Sequence, residues 1–458
     1  MVSRFWLLSL LACAPLAAGE LRLGAAAVRI TPPPGAPMAG YYFHRTADGV
    51  HDDLQAKALV FEQDGVRSAL VACDLISMPA ELVAEARERI AKLGIPPERV
   101  MIGGTHAHTG PVLVGRSSRE DRMPAEMLAI ARQYIAQLPD RLAEAVSRAS
   151  AALTAAKLSA GAGEERSVSF NRRFWMKDGS VGWNPGKLNP NIVRPAGPID
   201  PQVPVVFAES PQGKPLATYV NFAMHLDTVG GTEYSADYPY TLATLLGKVK
   251  SPEMLTVFTI GTAGNINHID VSSREPQKGH GEAARIGTVL AGEVIKTYTR
   301  LKAVETWAPR GRREIVNLPL PANEPGDLEK AREVAPKFGK PNAAPFLDLV
   351  KAFRVLDIEE RHGKPLEAEV QVIALGPDLA FVGLPGEIFV ELGMAIKKAS
   401  PFRHTIVAEL SNGSIGYVPD RAAYPQGAYE VVSARCAAGS GEMLVDAAVR
   451  MLNAIKQP

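Results

Sequence analysis

The segment that decides the fold opens as AKALVFE (Ala56–Glu62), turns at Asp64–Gly65, resumes as SALVACDLI (Ser68–Ile76) and closes as RVMIG (Arg99–Gly103). Two apolar, β-prone runs around an Asp–Gly pair read as the arms of a hairpin. Between the second arm and RVMIG, Pro79–Leu93 sets its apolar residues at helical spacing. Strand, helix and buried strand in succession mark a layered α/β protein, and the hairpin makes its sheet mixed.

The pattern continues in both directions. Lys214–Phe222, Met254–Ile260, Leu366–Ile373 and Leu379–Leu384 read as strands, the last two joined by a Gly376–Pro377–Asp378 turn. Helical periodicity covers Gly281–Leu301 and Pro124–Leu153, where Pro139 predicts a break. Residues 184–205, rich in Pro and Asn, predict an ordered loop. The proline-rich, charged stretch Pro321–Pro345 predicts a surface excursion around one short helix. The expectation is an α/β fold with a layered mixed sheet and a single catalytic domain over residues 20–458.

The 458 residues carry 50 Lys+Arg against 49 Asp+Glu, a net charge of +1 that gives no electrostatic basis for nucleic-acid binding. Arg4, the apolar run Phe5–Ala14 and the small residues Ala17, Ala18 and Gly19 form the three-part pattern of a secretory signal peptide over residues 1–19. The predicted location is therefore periplasmic or extracellular. A second reading of Leu10–Leu11–Ala12–Cys13 is a lipoprotein site anchored through Cys13. No later stretch has the length of apolar sequence a membrane span requires. Beyond the signal only Cys73 and Cys436 remain. Their apolar surroundings predict buried free thiols, with a single bridge between them as the alternative.

Candidate chemistry lies at strand ends. His106 and His108 follow RVMIG in GGTHAHTGP (Gly103–Pro111); if strand geometry persists, they point to one side. Imidazole is a good zinc ligand, and the glycines let other groups approach. His225 closes another apolar strand in NFAMH (Asn221–His225), where a satisfied core histidine is the plainer reading. Glu387 follows a strand and a Pro–Gly turn in LPGE (Leu384–Glu387), where a helix N-terminal acid is the alternative. Gly261–His268 (GTAGNINH) is a small-residue strand exit with polar residues behind it. No GxSxG elbow and no HExxH helix is present, which disfavours a serine hydrolase or a zinc protease of those types.

These segments carry a resemblance. AAAVRITPP (Ala25–Pro33), Gly49–Val50–His51–Asp52, THAHTGP, Asn171–Arg172, PAGPID (Pro195–Asp200), NFAMH, AGNIN (Ala263–Asn267), LPGE and the Tyr417…Tyr429 pair resemble, in order, the neutral/alkaline ceramidase family. The resemblance implies one zinc ion held by His106, His225, Glu387 and Tyr417, with His108, Arg172 and Tyr429 facing the substrate amide. It implies cleavage of an N-acyl amide bond, in ceramide or a related N-acyl lipid, by zinc-activated water. A lipid substrate would bring peripheral contact with a membrane surface.

Two departures stand out. Asn267 occupies the position of a family serine, so covalent catalysis there is excluded and Asn267 is expected to orient substrate by hydrogen bonds. His268 beside it reads either as a proton shuttle or as a structural residue. The chain is also too short after Tyr429 for the C-terminal β-sandwich of longer family members. The alternatives are a zinc hydrolase of another ester or non-lipid amide, and an inactive binding protein of the same fold.

Overall fold

Three mixed sheets of one common plan carry the fold. The first runs in the order Val100–Gly104, Val66–Cys73, Gln55–Gln63, Arg22–Arg29 and Thr154–Ala155. The second is ordered Leu255–Ile260, Pro215–Phe222, Gln202–Glu209, Lys157–Glu164 and Lys302–Ala303. The third is ordered Arg310–Leu318, Leu366–Ala374, Leu379–Gly383 and His404–Ala408. In each sheet one pair is parallel: Val66–Cys73 with Val100–Gly104, Pro215–Phe222 with Leu255–Ile260, and Leu379–Gly383 with His404–Ala408. The remaining pairs within them are antiparallel. The structure is a computed structural model that describes residues 19–113, 123–340 and 342–457. The predicted signal segment up to residue 18, Cys13 included, lies outside the described residues.

The inner faces of the sheets share one core. Leu59, Phe61 and Met101 from the first meet Val206, Tyr219 and Val257 from the second and Phe381 and Ile406 from the third. Each outer face is covered by helices, as mixed sheets with two apolar faces require. Ala80–Ala91 and Ala125–Ala151 cover the first sheet, Tyr238–Val249 and His280–Tyr298 the second, and Val390–Ala399 and Ser440–Lys456 the third. Full burial of side chains such as Phe61 and Phe381 contributes on the order of 2–3 kcal/mol each.

The hairpin forms as read, Gln55–Gln63 with Val66–Cys73 about Asp64–Gly65, and RVMIG is the parallel edge strand. Pro139 does not break its helix: Ala125–Ala151 is continuous. Leu138, Leu142, Ala145, Val146 and Ala149 pack on the first sheet and offset the lost hydrogen bond at Pro139. The predicted loop 184–205 contains the strand Ile192–Pro195 and the start of Gln202–Glu209. There the two neighbours of VPVVF override the turn-prone composition before it. The stretch Pro321–Pro345 holds the helix Asp327–Val334, which packs with Phe346–Glu359 through Ala331, Val334, Leu349 and Phe353. Cys73 and Cys436 are both buried free thiols. Among the described residues no helix is long and apolar enough to cross a membrane.

The parallel pairs set the place for chemistry, because ligands of such sheets bind beyond the carboxyl ends of their strands. Here those ends converge and are tied together. Gly104 N–H donates to the Leu410 carbonyl, Glu409 N–H to the Ile260 carbonyl, and Gly264 N–H to the Ile388 carbonyl.

Candidate metal centre

His106 and His108 leave the Val100–Gly104 strand, His225 follows Pro215–Phe222, and Glu387 follows Leu379–Gly383. The structure brings all four together. His106 Nε2 lies 3.4 Å from Glu387 Oε2 and His225 Nε2 lies 3.3 Å from the same oxygen. His108 Nε2 is 3.3 Å from His106 Nε2. The three imidazoles offer nitrogens within 4.8 Å of one another.

The histidines do not converge by strand alternation. The strand ends at Gly104, and His106 takes φ = 77°, a left-handed conformation costing about 1–3 kcal/mol in a non-glycine residue. Local contacts hold it there: its N–H donates to the Leu75 carbonyl, and its Nδ1 lies 2.8 Å from the Ile76 carbonyl. His225 is fixed similarly, with Nδ1 2.9 Å from the Ala263 carbonyl. A carbonyl only accepts, so Nδ1 carries the proton in each neutral ring and Nε2 keeps its lone pair. That is the tautomer and orientation a metal-ligating histidine takes.

Glu387 enters through a two-residue parallel bridge, Glu387–Ile388 against Tyr417–Val418, whose register sets Glu387 opposite Tyr417. Tyr417 Oη thereby comes 3.5 Å from His225 Nε2. Burial raises the Tyr417 phenol well above its ordinary range, against the opposing charge of Arg172. Burial alone would raise Glu387 too, but His106 and His225 hold it well below the usual carboxylate range. Its Oε2 is buried without a hydrogen-bond partner among the described residues. Two imidazole nitrogens beside an orphaned carboxylate oxygen, with a third imidazole against His106 and a phenol against His225, form an N/O donor set that fits a zinc-like divalent cation.

Arg172 reaches the centre from the other side. Its Nη1 is 3.2 Å from His225 Nε2, Nη2 donates to the Gly264 carbonyl, and Nε donates to Glu430 Oε1 at 2.8 Å. The buried Glu430 also accepts from Arg173, so one carboxylate neutralises two guanidinium groups. Tyr429 packs against Tyr417 with ring centroids 5.3 Å apart, and against Trp183 at 4.5 Å and Phe346 at 5.5 Å. These rings form an aromatic wall, and Phe346 is partly open to solvent.

Asn267 is buried at the same strand exit, but both ends of its amide already engage protein. Nδ2 donates to Asn184 Oδ1 and Oδ1 accepts from Ile269 N–H. It thus anchors the turn that carries Trp183.

Three carboxylates were missed by sequence reasoning: Glu409, Glu430 and Asp227. Glu409 accepts from Ala263 N–H and Ile388 N–H, fixing the segments that orient His225 and Glu387. Burial, then the neighbouring Glu387, pushes it well above the usual range. Its position closing the apolar strand His404–Ala408 was the available signal, the same one that singled out Glu387.

Burial pushes His108 down to about 3, assisted by His106, and His225 down to about 4, assisted by Arg172 and His106. An unfolded histidine takes its proton near 6.5. The unfolded chain therefore binds more protons between these values, and folded stability falls as pH drops. Metal-free protein is expected to show a lower denaturation midpoint at pH 5 than at pH 7, with the difference reduced in His108→Ala. An equal difference in wild type and variant would mean that His108 does not stay neutral.

Three mixed sheets whose strand ends meet at one junction make this a ceramidase-like fold. Neutral ceramidase from Pseudomonas aeruginosa is similar with a TM-score of 0.72 at 19% identity, over 96% of this chain and 75% of that one. A ceramidase complexed with C2 is similar with a TM-score of 0.71, also at 19% identity, over 96% of this chain and 76% of that one. No protein-family model matches the sequence, and no curated protein matches it. The structural likeness bears on fold alone.

Proposed function

We propose that the chain is an exported zinc-dependent hydrolase of N-acyl amides, ceramide or a related N-acyl lipid among them, with residues 20–458 forming the catalytic domain behind a signal segment 1–19. The observation that carries this reading is the convergence of His106, His108, His225 and Glu387 at the mouth of three parallel strand pairs. His106, His225, Glu387 and Tyr417 would hold the metal. A divalent cation there supplies Lewis acidity, lowering the pKa of a water molecule and polarising the amide carbonyl.

The surrounding residues account for the rest. Arg172, locked by Glu430 and the Gly264 carbonyl, presents Nη1 to the centre as a fixed cationic donor for the oxyanion that develops on the amide. The Tyr429 hydroxyl is a second donor, kept protonated by burial. His108, half-buried and neutral at pH 7, faces the substrate and can accept a proton from the attacking water and return it to the leaving amine. Asn267 acts on substrate through the Trp183 turn it anchors. The wall of Trp183, Phe346 and Tyr429 suits an apolar acyl chain.

The test is a release assay on a panel of N-acyl lipids and short N-acyl amino compounds, with and without chelator. Turnover of at least one N-acyl lipid that chelator abolishes and zinc restores is expected. Turnover indifferent to chelator, or none on any amide, would overturn the reading.

A further inference from the structure

Asp227 and the buried His268 form a pair beside the centre to which the proposed mechanism gives no part. His268 Nδ1 lies 3.1 Å from Asp227 Oδ1, and its Nε2 lies 2.7 Å from the Gln277 carbonyl. Neither a carboxylate nor a carbonyl can donate, so both ring nitrogens must carry protons and His268 is an imidazolium. Burial alone would lower its pKa, but Asp227 raises it above the ordinary value. With both protons committed and the side chain fully buried, His268 is unsuited to shuttle protons. It holds Asp227 in place.

Asp227 itself is not sealed in. About a quarter of its side chain is open (26%), and His268 supplies the one side-chain hydrogen bond to its carboxylate among the described residues. The Leu226 carbonyl next to it in sequence accepts from His108 N–H, and the Tyr41 ring stands edge-on to His108 at 5.9 Å. Arg45 fixes that wall: its guanidinium lies 4.4 Å over the Tyr41 ring and donates to the carbonyls of His108 and Gly231. The centre thus has two unlike flanks. Trp183, Phe346 and Tyr429 stand on the Arg172 side, and the carboxylate of Asp227 stands on the His108 side.

We propose that Asp227, positioned by His268, is a specificity-determining residue that accepts a hydrogen bond from a hydroxyl or ammonium group on the amine portion of the substrate. An aliphatic acyl chain has no donor to offer, and the aromatic flank suits it. The donor must therefore come from the amine half, so the preferred substrates are N-acyl amino alcohols or N-acyl diamines rather than N-acyl alkylamines. This assignment rests on the amide-hydrolase reading for the orientation of the substrate.

The test compares N-dodecanoyl serinol with the N-dodecanoyl amide of isopropylamine, which lacks only the hydroxyls, and adds N-dodecanoyl ethylenediamine as the ammonium arm. The readout is the ratio of kcat/KM for each donor-bearing amide over the plain one. A hydrogen bond to a charged group is worth roughly 1.5–3 kcal/mol, about a ten- to hundredfold preference. That preference, in the serinol arm, the diamine arm or both, is expected in the wild type, to collapse in Asp227→Ala and to shrink in His268→Gln, with the loss in KM rather than kcat. Asp227→Asn keeps the shape and covers an alanine variant that fails to fold. Ratios equal in wild type and variants overturn the assignment. Calorimetric binding of the same compounds separates the two readings. Preferential binding that is lost in Asp227→Asn, without hydrolysis of any compound, keeps Asp227 in its role and overturns the hydrolase reading.

Discussion

Replacing His225 by alanine is expected to strip the metal from the protein, lowering zinc content from near one per chain to a small fraction and activity with it. His225 is the hub of the centre: its Nε2 meets Glu387 Oε2 at 3.3 Å, Arg172 Nη1 at 3.2 Å and Tyr417 Oη at 3.5 Å. Without the ring, Arg172 can close on Glu387 and form an ion pair where the proposed cation would sit. Changes to groups that merely orient ligands cost ten- to a hundredfold in metal affinity, so loss of a ligand should cost more than about a hundredfold. His108→Ala separates the roles of the paired histidines. If His108 faces substrate, the variant keeps its metal and loses activity; if it is a ligand, both fall. Metal content measured after dialysis decides, and a His225→Ala protein retaining wild-type zinc would overturn the proposed ligand set.

The second large effect is expected at Glu430, which adjoins Tyr429 but carries no sequence signal of its own. Its carboxylate is fully buried and accepts from Arg172 at 2.8 Å and Arg173 at 3.0 Å, two guanidinium groups that are themselves buried. Removing one partner of a buried pair leaves an uncompensated charge and costs roughly 3–5 kcal/mol. Glu430→Ala uncovers two such charges, so a loss at the top of that range is expected by chemical denaturation. Arg172 would also lose the bond that aims Nη1, so kcat should fall even where the variant folds. Glu430→Gln, which keeps one acceptor oxygen and a similar shape, should lie between. A loss under about 1 kcal/mol in Glu430→Ala would mean that the arginines find other partners or water.

How much of this was legible depends on range. The hairpin, the helix after it and RVMIG follow from periodicity and from Asp64–Gly65, signals complete within a few residues. His106, His108, His225 and Glu387 were legible as chemistry at strand ends, because each closes an apolar run. The continuous helix through Pro139 and the strand Gln202–Glu209 were not, since tertiary neighbours override local preference at both. Glu409 ends an apolar strand as Glu387 does, yet only its bonds to Ala263 and Ile388 distinguish it from any other acid.

By itself, then, the sequence determined the hairpin, the helix after it, RVMIG and several further strands and helices, that the sheets would be mixed, and which residue types would stand at strand ends. Those properties depend on side-chain spacing and turn chemistry, which the chain carries locally. The tertiary structure alone decided that strand ends from three sheets meet at one point. It also decided that His106 turns into a left-handed conformation to join them, and that Asp227 and Glu430 hold charge beside the centre. Each of these rests on contacts between residues tens to hundreds of positions apart, whose pairing is set by the packing of one shared core.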